Sequence, residues 1–532
     1  MDRDWHVPEQ EGRASMNESC KTVFPPGMAK EGQFSGAQWR LWLGSCLRGR
    51  SLVTVDPAKK ERRFRNVDCG VAILAMMLAA AGAWVHLRNA SIWYDEAVTL
   101  LVTSGHEQLN WSQGLLQFKP SADLGKVLIE LYERDVHPPL YFWTLALWRV
   151  AFGASLEVAR SLSVCFTIGT LVVLFRCARN MGLRWASIPV AVYAFSSAGQ
   201  RYAYDARPYA MAAFLVALTL YLACRKSRWA GLCGAAAAST HYFALLCVGP
   251  LLVFECVREW KSCRHWVSQT AVSFAGCCAP LGVLLRVHIA ARPQQYPGFS
   301  SLYEETCALL KNAVGGAMPK SWIPGWWLAL LLGAFLVAAG CWNMHKVRKW
   351  SFGIGYVAFL CGFLTLAIAA NKSLVKMPTD YYLGIGAPWL ALLIGYGANL
   401  IPQSIPLLGL LLLAGSLTAK PMTQTTDYRK ILAETRSECV DCPVVVGVGY
   451  MGAIPACVLY ESKGARVLLL RPSDTVDGMI RRVGEKRLFF LVPTNEPATA
   501  SVEHNLVQTC RSNAKDGYFE ISCGMQLGLF SN

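Results

Sequence analysis

The chain has 532 residues, of which 54% are hydrophobic and 16% charged. Soluble globular proteins carry about 25% charged residues; here the deficit is concentrated in long apolar runs, so an ordinary soluble domain is excluded and a membrane protein is indicated. The formal net charge is +16, but the basic residues sit in short stretches beside apolar runs, as the positive-inside rule expects. Anionic headgroups or an anionic lipid substrate suit that distribution, and no basic, aromatic-interleaved module suggests nucleic acid.

Residues 1–66 are polar and the first forty read as disordered. The first apolar run begins near Val67, lacks a small-residue cleavage site and is long enough to span. It reads as an anchor whose flank of Lys59, Lys60, Arg62, Arg63 and Arg65 stays in the cytoplasm. Spans are expected near 67–88, 138–153, 159–177, 185–199, 208–224, 228–257 (one bent span or two short ones), 266–290, 326–342, 351–370, 381–399 and 402–418. These give about eleven to thirteen crossings at about 20 residues each. The expectation is an α-helical polytopic membrane domain over 67–418, followed by a tail, 419–532, of small α/β type. Strand-like runs at 443–448, 466–470 and 488–492 support the second part.

The first loop, 89–137, is rich in Trp, Tyr and acidic residues, and its apolar spacing in 97–102 and 124–132 predicts short helices lying along the membrane. Aromatic residues in 291–325 suit the interface. If the first loop is extracytoplasmic, an odd number of crossings places the tail outside too. Arg176, Arg179 and Arg184 favour the cytoplasm, whereas simple alternation from the first loop puts them outside. Many of the 20 cysteines, among them Cys165, Cys233, Cys247, Cys277, Cys278 and Cys361, lie in apolar runs and act as small apolar residues. Cys439-x-x-Cys442, with Cys457, Cys510 and Cys523, is able to form disulfides if the tail faces an oxidising compartment.

Five motifs carry candidate chemistry. Ser91-Ile-Trp-Tyr-Asp-Glu-Ala97 follows the first span and holds Asp95 and Glu96 at the membrane surface. They are either solvated carboxylates capping an interfacial helix or a general base where a membrane-embedded substrate meets water. Asp135-Val-His-Pro-Pro-Leu-Tyr-Phe-Trp143 comes next. Its prolines suit the first turn of a helix, and His137 beside a helix N-terminus makes a seat for an anion. In Gln200-Arg-Tyr-Ala-Tyr-Asp-Ala-Arg-Pro-Tyr209, Asp205 and Arg207 among tyrosines form either a polar loop or a phosphosugar site. His241 of Thr240-His-Tyr242 lies in an apolar stretch, where an unpartnered histidine is costly; a structural role and a binding role both remain open. Lys372-Ser-Leu-Val-Lys-Met-Pro-Thr-Asp-Tyr-Tyr382 is a basic flank or, through Lys376, a reach to a lipid phosphate.

Together, Tyr-Asp-Glu after the first span, His-Pro-Pro at the second, Tyr-x-x-Asp-Ala-Arg-Pro-Tyr and the later His-Tyr resemble bacterial relatives of the dolichyl-phosphate-mannose protein mannosyltransferases (glycosyltransferase family 39). The lipid A aminoarabinose transferases are more distant cousins. The resemblance runs over roughly 67–400 and implies a GT-C type helical bundle with an outer-face site. It also implies a polyprenyl-phosphate sugar as donor and a protein, lipid or glycan hydroxyl as acceptor, in the plasma (inner) membrane of a bacterium. Carried over by motif, Asp95 is the base and Glu96 its neighbour, His137 lies beside the lipid phosphate, and Arg207 and Tyr209 match the family's Arg-x-Tyr element. Lys376 precedes the late Pro-x-x-Tyr, but this chain has Tyr381-Tyr382 where many relatives have Arg-Tyr, which leaves Lys376 as the cation expected to complete the phosphate site. Asp427-Tyr-Arg429 resembles the Asp-Trp-Arg that opens the tail of such proteins. Asp135, Asp205 and His241 join the expected substrate-binding set, and no cofactor or obligatory metal is expected. The rival from another class is a polytopic lipid or solute transporter or flippase; internal repeats, which would favour it, are not found.

Overall fold

The computed structural model describes residues 57–105, 119–291, 301–317, 351–369 and 382–398, and in the tail 429–430, 432–433, 444–447, 457, 467–470, 487–493, 511–515 and 518–524. Met1–Phe64 and Arg65–Asn532 form separate compact units, and the bundle, the site and the tail belong to the second. The expected spans at 326–342 and 402–418, Trp322, Lys376, Tyr381, Asp427, Cys439, Cys442 and Cys510 lie outside the described residues.

Among the described residues, three helical segments are long and apolar enough to cross a membrane: Phe64–Asn89 within α1 (Pro57–Asn89), α5 (Leu156–Asn180) and Arg264–Leu284 within α11 (Arg264–Ala291). The protein is an integral membrane protein. Helix α1 turns Ala72, Ala75 and Ala83 into the bundle and leaves Ile73, Leu74, Met77, Trp84 and Val85 exposed. Small residues inward and large apolar residues outward is the arrangement of a lipid-facing helix, because close approach rather than hydrophobicity drives helix contacts in lipid.

Helices α1 and α5 run antiparallel. Arg160 at the start of α5 donates to the carbonyls of Leu87 and Ala90 at 3.1 and 2.8 Å, and at the other end Arg179 lies 3.5 Å from Asp68. On each helix roughly 19 residues separate the two contacts, about 28 Å of rise and close to the thickness of a hydrocarbon core.

The described parts of the connection between them stay at one end. They hold α2 (Tyr94–Ser104), α3 (Leu124–Arg134) and α4 (Leu140–Phe152), where short helices were expected in 97–102 and 124–132. Arg149, near the end of α4, donates to the Leu100 carbonyl at 3.2 Å and to Thr103 Oγ1. Six residues past Ala154, about 9 Å of helix, Arg160 already touches the C-terminal turn of α1. The apolar run at 138–153 is therefore not a crossing. This correction removes the ambiguity over Arg176, Arg179 and Arg184, since with α4 uncounted they fall at the α1 N-terminal end, beside the basic flank.

Helices α6 to α10 alternate between the same two ends. Asp68 accepts from the amides of Ala186 and Ser187 at 3.2 and 2.9 Å, so α6 (Ser187–Phe195) starts at the basic end. It continues, after a break at Ser196, as α7 (Ser197–Tyr204), whose Tyr204 ring reaches His86 on α1 at 5.2 Å. Helix α8 (Tyr209–Cys224) returns to the basic end, where Lys226 meets Glu259 at 2.5 Å. The apolar stretch 228–257 resolves into two helices, α9 (Ala230–Thr240) and α10 (Tyr242–Glu259), meeting at His241. Helix α9 is nearly all small residues, and Gly231 and Gly234 press so closely on Thr270, Leu252 and Phe274 that an added Cβ has no room. Beyond α12 (Leu302–Ala317), α13 (Ser351–Ala369) packs on α10, and α14 (Ala387–Ala398) ends at the basic end, where Tyr396 Oη donates to the Met181 carbonyl at 3.3 Å.

The tail forms a five-stranded mixed sheet in the order β2-β1-β3-β5-β4. The expected strands appear as β1 (Val444–Gly447), β2 (Val467–Leu470) and β3 (Arg487–Pro493), all parallel. Strands β4 (Arg511–Lys515) and β5 (Tyr518–Gly524) add an antiparallel hairpin in which Arg511, Asn513, Lys515 and Glu520 interrupt the apolar pattern. Among the tail cysteines, Cys457 is buried.

Candidate active site

The acidic pair after the first span divides between its two readings. Glu96 occupies the third position of α2, and its Oε2 accepts from the Trp93 amide at 3.4 Å, the return bond of a capping box. The same carboxylate grips Arg160 at 2.7 Å (Nε–Oε1) and 2.6 Å (Nη2–Oε2) and accepts from the Ala206 amide at 3.0 Å. Arg160 spends its remaining donors on the carbonyls of Leu87, Ala90 and Ser91. Glu96 and Arg160 are fully buried, and together they bolt α1, α2, α5 and the 205–207 turn to one another. The sequence reading missed Arg160; its one signal was a charge inside an apolar run, which is costly unless partnered.

Asp95 points away from that strut. Its side chain is 30% exposed, and Oδ2 lies 3.9 Å from Arg207 Nη2. Burial pushes its carboxyl up, Arg207 and His137 oppose this, and Asp135 and Glu96 add to it. Arg207 Nη1 donates to Asp135 Oδ2 at 2.9 Å, Thr99 Oγ1 at 3.1 Å and the Asp95 carbonyl at 3.3 Å. Asp135, in turn, pairs through Oδ1 with His137 Nδ1 at 2.5 Å. Burial acts to raise Asp135, but the charges and hydrogen bonds of His137 and Arg207 outweigh it and hold the carboxyl well below its usual range. Pro138 and Pro139 end this segment and start α4 without an amide to satisfy, which fixes His137 at the helix entrance.

His241 joins the same group. Its ring centroid lies 4.9 Å from that of His137 and 5.4 Å from that of Tyr209, while Tyr382 closes the cluster at 5.9 Å from His241 and 6.2 Å from Tyr209. Tyr209 also stacks on Tyr202. Asp205 sits to one side, with Trp93 Nε1 donating to Oδ1 at 3.0 Å. Burial, reinforced by the Glu96 charge, pushes Asp205 up to about 8. Since Glu96 has its own guanidinium, the pair is best satisfied with the charge on Glu96 and the proton on Asp205.

Asp95, Asp135, His137, Arg207, Tyr209 and His241 thus converge, although they come from α2, the α3–α4 turn, the α7–α8 turn and the α9–α10 break. Asp95 and Arg207 lie 3.9 Å apart, at the same end of the helices. Among the described residues, Arg207 Nε, His241 Nε2 and Asp205 Oδ2 are buried without a partner. Arg207 lies beside the Asp95 carboxylate and His241 beside His137 and Tyr209, so the cluster holds one partly exposed base and N–H groups suited to an anion. No group of three or more metal-ligating side chains stands together among the described residues.

No protein-family model matches the sequence, and no curated protein matches it. Among solved structures, the chain is similar to ArnT from Cupriavidus metallidurans in the apo state, with 13% identity, a TM-score of 0.49 and coverage of 86% of this chain and 99% of that one. It is also similar to the same protein bound to undecaprenyl phosphate, with 14% identity, a TM-score of 0.44 and coverage of 88% and 100%.

Proposed function

We propose that the protein is a membrane glycosyltransferase of GT-C type that moves a sugar from a polyprenyl-phosphate donor to an acceptor hydroxyl, with Asp95 as the base. The observation that carries this reading is the partly exposed Asp95 carboxylate, 3.9 Å from Arg207, beside buried donors at one end of the spanning helices. Arg176, Arg179, Arg184, Arg225, Lys226, Arg228 and Lys261 gather at the opposite end of those helices. The positive-inside rule sets that end in the cytoplasm, and the site then faces outward. Arg429, which opens the tail, reaches the carbonyls of Arg88 and Asn89 at 3.4 and 3.3 Å, in keeping with an extracytoplasmic tail.

The acceptor oxygen attacks the anomeric carbon opposite the phosphate and inverts it. Its proton passes to Asp95 as the carbon–oxygen bond forms. The bond from the anomeric carbon to the phosphate oxygen breaks, and its electron pair leaves with the polyprenyl monophosphate. That anion needs positive charge and donors rather than a general acid; Arg207, His137 and Lys376 are assigned to it. Asp135 keeps Arg207 and His137 in place, Tyr209 lines the pocket, and Glu96 holds α2 so that Asp95 faces the acceptor.

Purified protein in liposomes, given radiolabelled polyprenyl-phosphate sugars and a mixed set of hydroxyl acceptors, is expected to form labelled product in the wild type and not with Asp95→Asn. Absence of transfer from every donor, together with labelled lipid or solute crossing the bilayer, would establish the transporter instead.

A further inference from the structure

We infer that His241 serves as a neutral imidazole, locked into a single tautomer by the start of α10, and that its Nε2–H binds the phosphoryl oxygen of the lipid donor. The inference rests on the glycosyltransferase reading and deepens it.

The lock is built from the backbone. His241 is extended, at φ −155° and ψ 127°, between the last turn of α9 and the first of α10. Its Nδ1 accepts from the Phe243 amide at 3.2 Å. A backbone N–H only donates, so Nδ1 carries the lone pair and the ring proton resides on Nε2. Protonating Nδ1 would break that bond and place a cation against the positive end of a helix, which is unfavourable. A neutral imidazole at a helix N-terminus is a known device for offering a hydrogen bond without acting as a strong acid.

The free end of the ring is then a donor with nothing to meet. His241 is 3% exposed, and Nε2 has no partner among the described residues. A buried unsatisfied donor destabilises the fold, so a ligand acceptor at that point would relieve it. The surroundings select the ligand. The groups that face His241 are His137 and Asp135 from the α3–α4 turn, Arg207 and Tyr209 from the start of α8, and Tyr382 ahead of α14. Arg207 is paired with Asp135 and lies near Asp95, so an oriented N–H group adds to its charge in holding an anion on this wall.

Three substitutions separate the cap from the donor. His241→Asn keeps an acceptor for the Phe243 amide but has no group at the Nε2 position. His241→Gln restores an N–H near that position and weakens the cap. His241→Ala removes both. Binding of undecaprenyl monophosphate to the full-length protein is measured in nanodiscs, with unfolding temperature as the control. Wild type is expected to bind, His241→Asn to keep its stability but bind about ten- to a hundredfold more weakly, the loss of one hydrogen bond to a charged group, and His241→Gln to recover most of the affinity. Equal binding by wild type and His241→Asn overturns the role of His241 alone. If His241→Asn does not fold, His241→Gln decides, since binding no better than His241→Ala at equal stability also overturns it. No binding by the wild type overturns the polyprenyl-phosphate reading itself.

Discussion

Substituting Glu96 by Gln tests the division of labour within the acidic pair. The glutamine oxygen still accepts from Arg160 Nε and the Ala206 amide, but its NH₂ takes the place of Oε2 against Arg160 Nη2 and the Trp93 amide, replacing the 2.6 Å charge-assisted bond with a donor–donor contact and removing the charge opposite Arg160. Breaking a buried ion pair by removing one partner costs about 3–5 kcal/mol. Arg160 still has the carbonyls of Leu87, Ala90 and Ser91 around it, which places the loss near the lower end, about 3 kcal/mol. Unfolding in detergent is followed with a thiol-reactive dye, for which the buried Cys177, Cys233 and Cys247 are native reporters. Glu96→Gln is expected to fall by several degrees in apparent Tm, and Glu96→Leu with Arg160→Met to recover much of it, because no charge is then left alone. If Glu96→Gln melts with the wild type and yet abolishes transfer, Glu96 belongs to the chemistry and the strut account is wrong.

The pH dependence of kcat/KM should show an acid limb displaced upward from that of an ordinary carboxylate, because Asp95 must be ionised to accept a proton and burial raises its pKa; a limb that survives in Asp95→Asn would assign it to another group. Asp205, raised to about 8, binds more protons folded than unfolded between pH about 4 and 8, so its contribution to stability declines as pH rises through that window. Asp205→Asn, which keeps an oxygen for Trp93, should flatten the decline, and identical pH–stability curves would refute it. Gly231→Ala should destabilise the bundle by about 1–3 kcal/mol, because its Cβ would run into the Thr270 carbonyl across the α9–α11 contact; a neutral thermal shift would mean that the two helices are less closely packed.

Much of this site was legible because loop motifs keep their local geometry. The Asp-Glu pair at a helix start, the two prolines after His137 and the Asp-x-Arg-x-Tyr segment each predict a local conformation that the fold retains. Their convergence was not legible, since it depends on which helices cross. The run at 138–153 is apolar enough to read as a span, but a helix of 13 residues covers only about 20 Å, and counting it reversed every later side. Arg160 was hidden for a related reason. In a membrane protein a buried charge is explained by its partner, and its partner Glu96 lies 64 residues earlier. In the tail the three parallel strands carried continuous Val, Leu and Phe runs, whereas β4, Arg511–Lys515, has no apolar periodicity to find.

Single-turnover transfer by Asp95→Asn, with the polyprenyl-phosphate sugar bound at saturation, tests the central assignment most directly. Asparagine preserves the shape of the side chain and leaves the Glu96–Arg160 strut untouched, so donor binding and stability should match the wild type. The rate of sugar transfer should fall about a hundred- to ten-thousandfold, the usual contribution of a positioned general base. Transfer at the wild-type rate would contradict the account and move the base elsewhere.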